Sequence, residues 1–311
     1  MSLQLIGVFS DIGASKRGSS KGVDLLMEHF RKNHNDLKQT RIINQALLQN
    51  LQNSPKYAKN IKAICEFFEN KLIPEAKKVI ESGEFPLIFS GDHSNALGIL
   101  QAFEEIYYEE PIAVIWIDAH SDLHTPYDSN SGNIHGMPVG GILNIAKSGE
   151  NCLEESEKSE WEKLCTLSTQ RNIKPQNITY IGVRSLEKSE KDMIEKFKIP
   201  LYSVRQVRQN IQNVINEVIT SLEKTHRVYL SVDVDVMDGK IFTSTGVREN
   251  NGLYPFELQE CIELLIRGLE KKLIAIEFTE FNPVLDDSKT EDFQVLLKII
   301  SKTIEELEQI H

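Results

Sequence analysis

The chain has 311 residues, 40% of them hydrophobic, which is enough for one large domain with a substantial core. No apolar run approaches the roughly 20 residues that cross a bilayer, and the opening Met-Ser-Leu-Gln-Leu-Ile-Gly lacks a basic leader and cleavage site, so it reads as a strand. A formal charge of -11, from 46 acidic and 35 basic residues, repels phosphate backbones and argues against a nucleic-acid partner, while remaining compatible with a small cationic substrate.

Short apolar runs alternate with helix-period stretches along the whole chain. Strands are expected at Leu3–Phe9, Ile42–Leu47, Pro86–Ser90, Ile112–Ile117, Ile178–Ile181, Pro200–Val204, Arg227–Val232 and Leu273–Phe278. Helices are expected at Ile61–Ile80, Ala96–Tyr108, Val207–Leu222, Phe256–Leu269 and Glu291–Ile310. Such alternation predicts an α/β fold, a mainly parallel sheet covered by helices on both faces. The acid-rich segment Lys147–Lys163 reads as a solvated surface insertion, not a linker, so residues 1–311 are expected to form one domain. Cys65, Cys152, Cys165 and Cys261 make no Cys-x-x-Cys pair and read as free thiols in a reducing cytoplasm.

Ligands of open α/β sheets bind beyond the carboxyl ends of the strands. Three of the expected strands end in metal-ligand chemistry. Pro86–Ser90 runs into Gly91-Asp92-His93-Ser94, where Gly91 permits a tight exit. By itself that tetrapeptide fits a capped turn equally well. Ile112–Ile117 runs into Asp118-Ala119-His120-Ser121-Asp122, whose ionisable residues share a face if the chain stays extended. Three such groups against an apolar strand are costly without a cation. Arg227–Val232 ends in Asp233-Val234-Asp235, and two carboxylates there repel unless a metal neutralises them.

The tips supply His93, His120, Asp118, Asp122, Asp233 and Asp235. An oxygen-rich set with some imidazole suits manganese better than zinc. Six ligands are too many for one catalytic ion with an open position, so two ions sharing carboxylates, about 3.5–4 Å apart, fit better.

With Ser-Gly-Asn-Ile-His-Gly-Met-Pro at 131–138 and Glu-Phe-Asn-Pro at 280–283, the motif series resembles the ureohydrolases, and within them arginase most of all. The Gly-Ala-Ser-Lys-Arg-Gly-Ser-Ser-Lys-Gly stretch at 13–22 resembles the family's opening. The resemblance implies a three-layer α-β-α sandwich with an eight-stranded parallel sheet and two Mn2+ ions, with Co2+ or another divalent ion as alternatives. It implies His93, Asp118, Asp122 and Asp233 around one ion and Asp118, His120, Asp233 and Asp235 around the other. The implied reaction is hydrolysis of L-arginine to L-ornithine and urea by a metal-bridging hydroxide. In it Glu280 holds the guanidinium, Asp122 takes a proton and His135 transfers one. Ser131, Asn133 and Glu187 face the amino-acid end of the substrate. A trimer or hexamer is the implied assembly.

Two departures from the family pattern bear on the substrate. His124 stands where Asn is usual, and Gly239 and Val247 replace the common Pro and Thr of the loop after Asp238. Agmatine, guanidinobutyrate or formiminoglutamate are the alternative substrates. A metal-binding protein without turnover is the alternative of another class.

Overall fold

The computed structural model describes residues 2–34, 37–48, 54–145, 149–222, 224–287 and 291–310. Eight strands form one parallel sheet: β1 (Leu3–Phe9), β2 (Lys38–Ile43), β3 (Phe85–Ser90), β4 (Ile112–Ile117), β5 (Ile178–Ile181), β6 (Leu201–Tyr202), β7 (Arg227–Asp233) and β8 (Leu273–Thr279). Their spatial order is β2-β1-β3-β8-β7-β4-β5-β6. The α/β fold expected from the sequence is therefore present.

The helices are α1 (Ser19–Asn33), α2 (Ile61–Phe67), α3 (Ile73–Glu81), α4 (Asn95–Ile106), α5 (Pro138–Ile142), α6 (Glu155–Cys165), α7 (Lys188–Phe197), α8 (Val204–Gln209), α9 (Ile211–Ser221), α10 (Pro255–Leu269) and α11 (Glu291–Ile310). Alternate strand residues feed two apolar layers. Val114, Trp116 and Tyr229 join Phe68, Phe103 and Trp161 on one face. Ile115, Ile117 and Leu230 join Met27, Ile215, Ile262 and Ile300 on the other. Both faces of the sheet are thus covered, which is why its central strands are apolar throughout.

Several expectations shift. The second strand lies earlier, at Lys38–Ile43, and is half-exposed. As an edge strand it hydrogen-bonds to β1 alone and needs no apolar run. The helix expected over Ile61–Ile80 is interrupted by a π turn at Phe68–Leu72, just ahead of Pro74, which has no N–H for the helical ladder. The stretch from Val207 is split at Asn210, whose side chain accepts from Asn213 N at 2.9 Å and starts α9. The acid-rich insertion is also not simply solvated. Residues 147 and 148 lie outside the described residues, but α6 buries Trp161, Leu164 and Cys165 against the core and presents its charges outward. One of its acids, Glu157, is buried and accepts from Tyr57 N. Among the described residues, no helix is long and apolar enough to cross a membrane.

Candidate metal centre and cleft

Strands β3, β8, β7 and β4 are consecutive across the middle of the sheet. Their carboxyl ends therefore deliver His93, Glu280, Asp233 with Asp235, and the 118–122 cluster to one place. No contiguous stretch of sequence contains them. Gly91 makes the first exit possible, because a Cβ there would meet Ser10 O at 2.1 Å. Asp92 is a turn former, accepting from Ser94 N at 2.9 Å and from Gly13 N at 2.8 Å. His93 beside it projects into the site.

Two groups of three side chains have ligand atoms close enough to share a metal ion: His93, Asp118 and Asp233, and then Asp118, His120 and Asp235. Asp118 belongs to both. Its Oδ2 lies 3.0 Å from His93 Nδ1 and its Oδ1 3.5 Å from His120 Nδ1. His93 Nδ1 is also 3.1 Å from Asp122 Oδ2 and 3.3 Å from Asp233 Oδ2. His120 Nδ1 is 2.9 Å from Asp235 Oδ2.

The convergence is real, but its cause is not the strand pleat that period-2 spacing suggests. Beyond Ile117 the chain bends, and Asp122 has φ 51°. His120 N closes the bend on Asp118 Oδ1 at 2.6 Å. Asp233 ends β7, and Asp235 follows in a 3-10 turn, donating its N–H to Asp233 Oδ1 at 2.7 Å. Turns capped by these carboxylates themselves aim the groups. Glu280, at the exit of β8, has φ 65°. Positive φ at two non-glycine residues of one site is backbone strain maintained by its surroundings.

Behind the centre lies a buried scaffold that the sequence motifs did not single out. His93 stacks on Trp116 with ring centroids 4.0 Å apart, and Trp116 Nε1 donates to Asp118 Oδ2 at 2.9 Å. His93 Nε2 is 2.8 Å from Ser231 Oγ, which donates to Glu277 Oε2 at 3.0 Å. Because Ser231 spends its proton on Glu277, it accepts from Nε2–H and leaves Nδ1 unprotonated and able to ligate a cation. That Nδ1 is buried without a hydrogen-bond partner and faces three carboxylates. An orphaned imidazole nitrogen among acids is the environment a divalent cation satisfies.

The electrostatics agree. Burial and neighbouring Asp118 push Asp122 up to about 6, and burial with Asp235 and Asp118 pushes Asp233 well above the usual carboxylate range. Burial, then Asp118, raises Asp235 as well. Burial opposes charge on His93 and His120, but their carboxylate partners outweigh it and hold both imidazoles well above the ordinary value. The cluster holds acids and protons in tension, which cations relieve.

The centre opens into a cleft of about 340 Å3 lined by His120, Asp122, Asp233, Asp235, His135, Glu280, His124, Ser131, Asn133, Glu187 and Val247. Every candidate ligand or substrate contact named from the sequence lies there except His93 and Asp118, which are buried behind Asp122, Asp233 and Asp235. Glu280 Oε1 accepts from His93 N at 2.9 Å and lies 3.1 Å from His135 Nδ1. Burial opposes charge on His135, but Glu280 outweighs it and lifts the imidazole to about 9. Gly132, with φ 70°, lets the Ser131–Asn133 turn press on Lys56, where a Cβ would meet the backbone O at 2.1 Å.

Glu187 caps α7, and its Oε2 accepts from Asn130 Nδ2 at 2.7 Å. Two acids of the cleft were missed from sequence. Glu190 is buried three residues into α7, accepting from Glu187 N and from Ser121 Oγ. Glu249 Oε1 lies 3.6 Å from His120 Nε2. Arg184, three residues before Glu187, donates to the carbonyls of Asp235, Val236, Met237, Glu249 and Asn250, fastening the loop that carries Asp235. No motif marks it, since its partners are main-chain atoms. A larger cavity of about 540 Å3, at the amino-terminal end of the strands near Pro86 and Leu273, has no histidine or aspartate in its lining.

The sequence profile described as Arginase family matches residues 1–304. The chain belongs to the arginase family. It is 33% identical over 304 residues to an arginase of Bacillus caldovelox, covering 95% of this chain and 96% of that one. A crystal structure of Helicobacter pylori arginase matches with a TM-score of 0.86 and 40% identity, covering 98% of this chain and 99% of the other. The formimidoylglutamase of Bacillus subtilis subsp. subtilis str. 168 has a TM-score of 0.74 over 99% of this chain and 87% of its own, but 17% identity, and so shares the fold alone. The resemblance seen in the motifs is thereby borne out, together with the three-layer fold it implied.

Proposed function

We propose that this chain, acting as one domain over residues 1–311, hydrolyses L-arginine to L-ornithine and urea with two divalent cations, Mn2+ being the favoured pair and Co2+ the alternative. The observation that carries this is the pair of acid–imidazole groups sharing Asp118 at the bottom of a cleft. His93, Asp118, Asp122 and Asp233 would hold one cation, and Asp118, His120, Asp233 and Asp235 the other. When bound, such a pair activates water as a nucleophile near neutral pH.

The chain's own residues do the rest. Glu280, fixed by His93 N and His135, holds the planar guanidinium through a charge-assisted hydrogen bond and sets the angle of attack. Water oxygen joins the guanidinium carbon, and the carbon–nitrogen bond to the side chain breaks. Asp122, which lines the cleft beside His93, accepts the proton released by the attacking water. His135, held protonated beside Glu280, delivers a proton to the departing amine. Ser131, Asn133, Glu187 and His124 meet the substrate's amino-acid head at the cleft mouth.

Assays of urea release from arginine, agmatine and guanidinobutyrate, each with Mn2+, Co2+ and Zn2+, test the reading. Arginine as the preferred substrate supports it. Preference for agmatine, with Glu187→Ala and Asn133→Ala without effect, overturns the amino-acid assignment. Cytoplasmic operation as a homotrimer or homohexamer belongs to the same proposal and rests on family likeness.

A further inference from the structure

His124 departs from the family's usual asparagine, and its surroundings differ from those of the other cleft residues. Its ring is held from behind. Asp128 Oδ2 lies 2.9 Å from His124 Nδ1. Asp128 Oδ1 accepts from Thr125 N and from Thr125 Oγ1, both at 2.7 Å. Both side chains are largely buried. His124 lines the cleft, whereas Asp128 lines only the separate hollow beneath it, with Leu123, Thr125 and Met193. Asp128 is thus outside reach of a substrate in the cleft while touching a residue that is within it.

The consequence is directional. An imidazole joined to its backbone by two rotatable bonds has several orientations, and only some present a ring nitrogen to the cleft. With Nδ1 engaged by Asp128, Nε2 is turned toward the cleft mouth, 3.5 Å from Glu190 Oε2 and 4.0 Å from Glu187 Oε1. Asp128 cannot follow the ring if it swings, because the two bonds from Thr125 fix its other oxygen. Glu187, an acid placed at the substrate's amino-acid head and suited to its ammonium group, is fixed in turn through its side chain by Asn130 and through its main-chain N–H by Glu190. The mouth therefore sets an imidazole nitrogen and a carboxylate side by side, a pairing complementary to the carboxylate and ammonium of an α-amino acid.

We propose that Asp128 is a positioning residue for substrate selection: it turns the His124 ring so that Nε2 meets the carboxylate of an α-amino-acid substrate, a role that rests on the arginase reading above. Asp128 itself touches neither the substrate nor the reacting atoms.

A double-mutant cycle tests this. Asp128→Ala is expected to raise KM for arginine and the inhibition constant of L-ornithine about tenfold, the loss of one oriented bond to a charged group. It should lower kcat by less than about threefold, because the guanidinium end is untouched. Putrescine, which lacks the amino-acid head, should inhibit both forms equally. In a His124→Ala background, Asp128→Ala should add less than about a twofold change, since its effect passes through the ring. Asp128→Asn, which keeps an oxygen for Thr125, enters the same cycle in case the alanine variant does not fold. Additive losses in the two backgrounds, a fall in kcat matching the rise in KM, or a parallel loss of putrescine binding overturn the proposal. A wild-type chain that releases no urea from arginine breaks the functional reading separately, and calorimetric titration with ornithine still reads the cycle.

Discussion

At one end of the cleft, His93, Asp118, Asp233 and Asp235 stand at the tips of buried strands, their orientation fixed by Trp116, Ser231 and capped turns. At the other end, His124, Ser131, Asn133 and Glu187 ride on loops and a helix cap and are partly open to solvent. The first end packs carboxylates against imidazoles, and every group there is shifted by burial and by its neighbours. The second is a set of short-range latches, Asp128 on His124 and Asn130 on Glu187. Chemistry common to a family belongs on the rigid end, and selection among substrates on the adaptable one.

Substitution at the rigid end breaks the comparison most directly. Asp118→Ala or Asp233→Ala is expected to abolish urea release and the paired ions. A variant that still holds two ions per chain by atomic absorption contradicts their assignment as bridges. Removing Ser231's hydroxyl by Ser231→Ala should weaken metal affinity about 10–100-fold, as loss of a partner behind a ligand histidine does. Unchanged affinity in a metal titration sinks the role given to the Ser231–Glu277 pair.

The loop end should respond differently. Glu187→Ala is expected to raise KM for arginine about tenfold with kcat nearly constant, while agmatine hydrolysis is unaffected. A large fall in kcat would mean that this acid serves the metal end as well.

Metal removal and pH sharpen the contrast further. Asp122, Asp233 and Asp235 have folded pKa values raised above their unfolded ones, by burial first and neighbouring carboxylates second. His93 and His120 are also raised, by their carboxylates and against burial. Groups raised in this way stabilise the fold below their unfolded pKa and lose that contribution as pH rises through the folded value. Asp118, lowered by its histidines against burial, behaves oppositely, but its contribution is already complete above the ordinary carboxylate range. The metal-free chain should therefore lose thermal stability as pH rises through about 6, the folded value of Asp122, and go on losing it above the ordinary histidine value. Bound cations replace the protons, so the rise in Tm on adding Mn2+ should widen over the same interval. A gap that narrows would remove the link between the charge cluster and the ions.

How far the sequence was legible differs between the two ends for the same reason. Asp-Ala-His-Ser-Asp and Asp-Val-Asp announce themselves, because dense ionisable groups after an apolar run have few explanations. Glu277 lies inside a strand of apolar neighbours, and Ser231 opens the Ser-Val-Asp-Val-Asp motif without a role of its own, so their pairing behind His93 emerged only once β7 and β8 were seen side by side. Asp128 reads as an ordinary turn residue, and Glu190 as one more acid in a charged helix. Arg184 grips main-chain carbonyls that no side-chain motif encodes.

The sequence by itself determined the alternation of strands and helices, the burial of the central strands and the acid–imidazole chemistry of the candidate metal centre. These follow from local periodicity and from the cost of charge beside apolar chain. Only the tertiary structure decided that β3, β8, β7 and β4 lie adjacent, that turns and not the strand pleat aim the ligands, and that His124 is latched from behind. Each of those depends on contacts between residues far apart in the chain, where hydrogen-bond direction and strand order leave no local pattern.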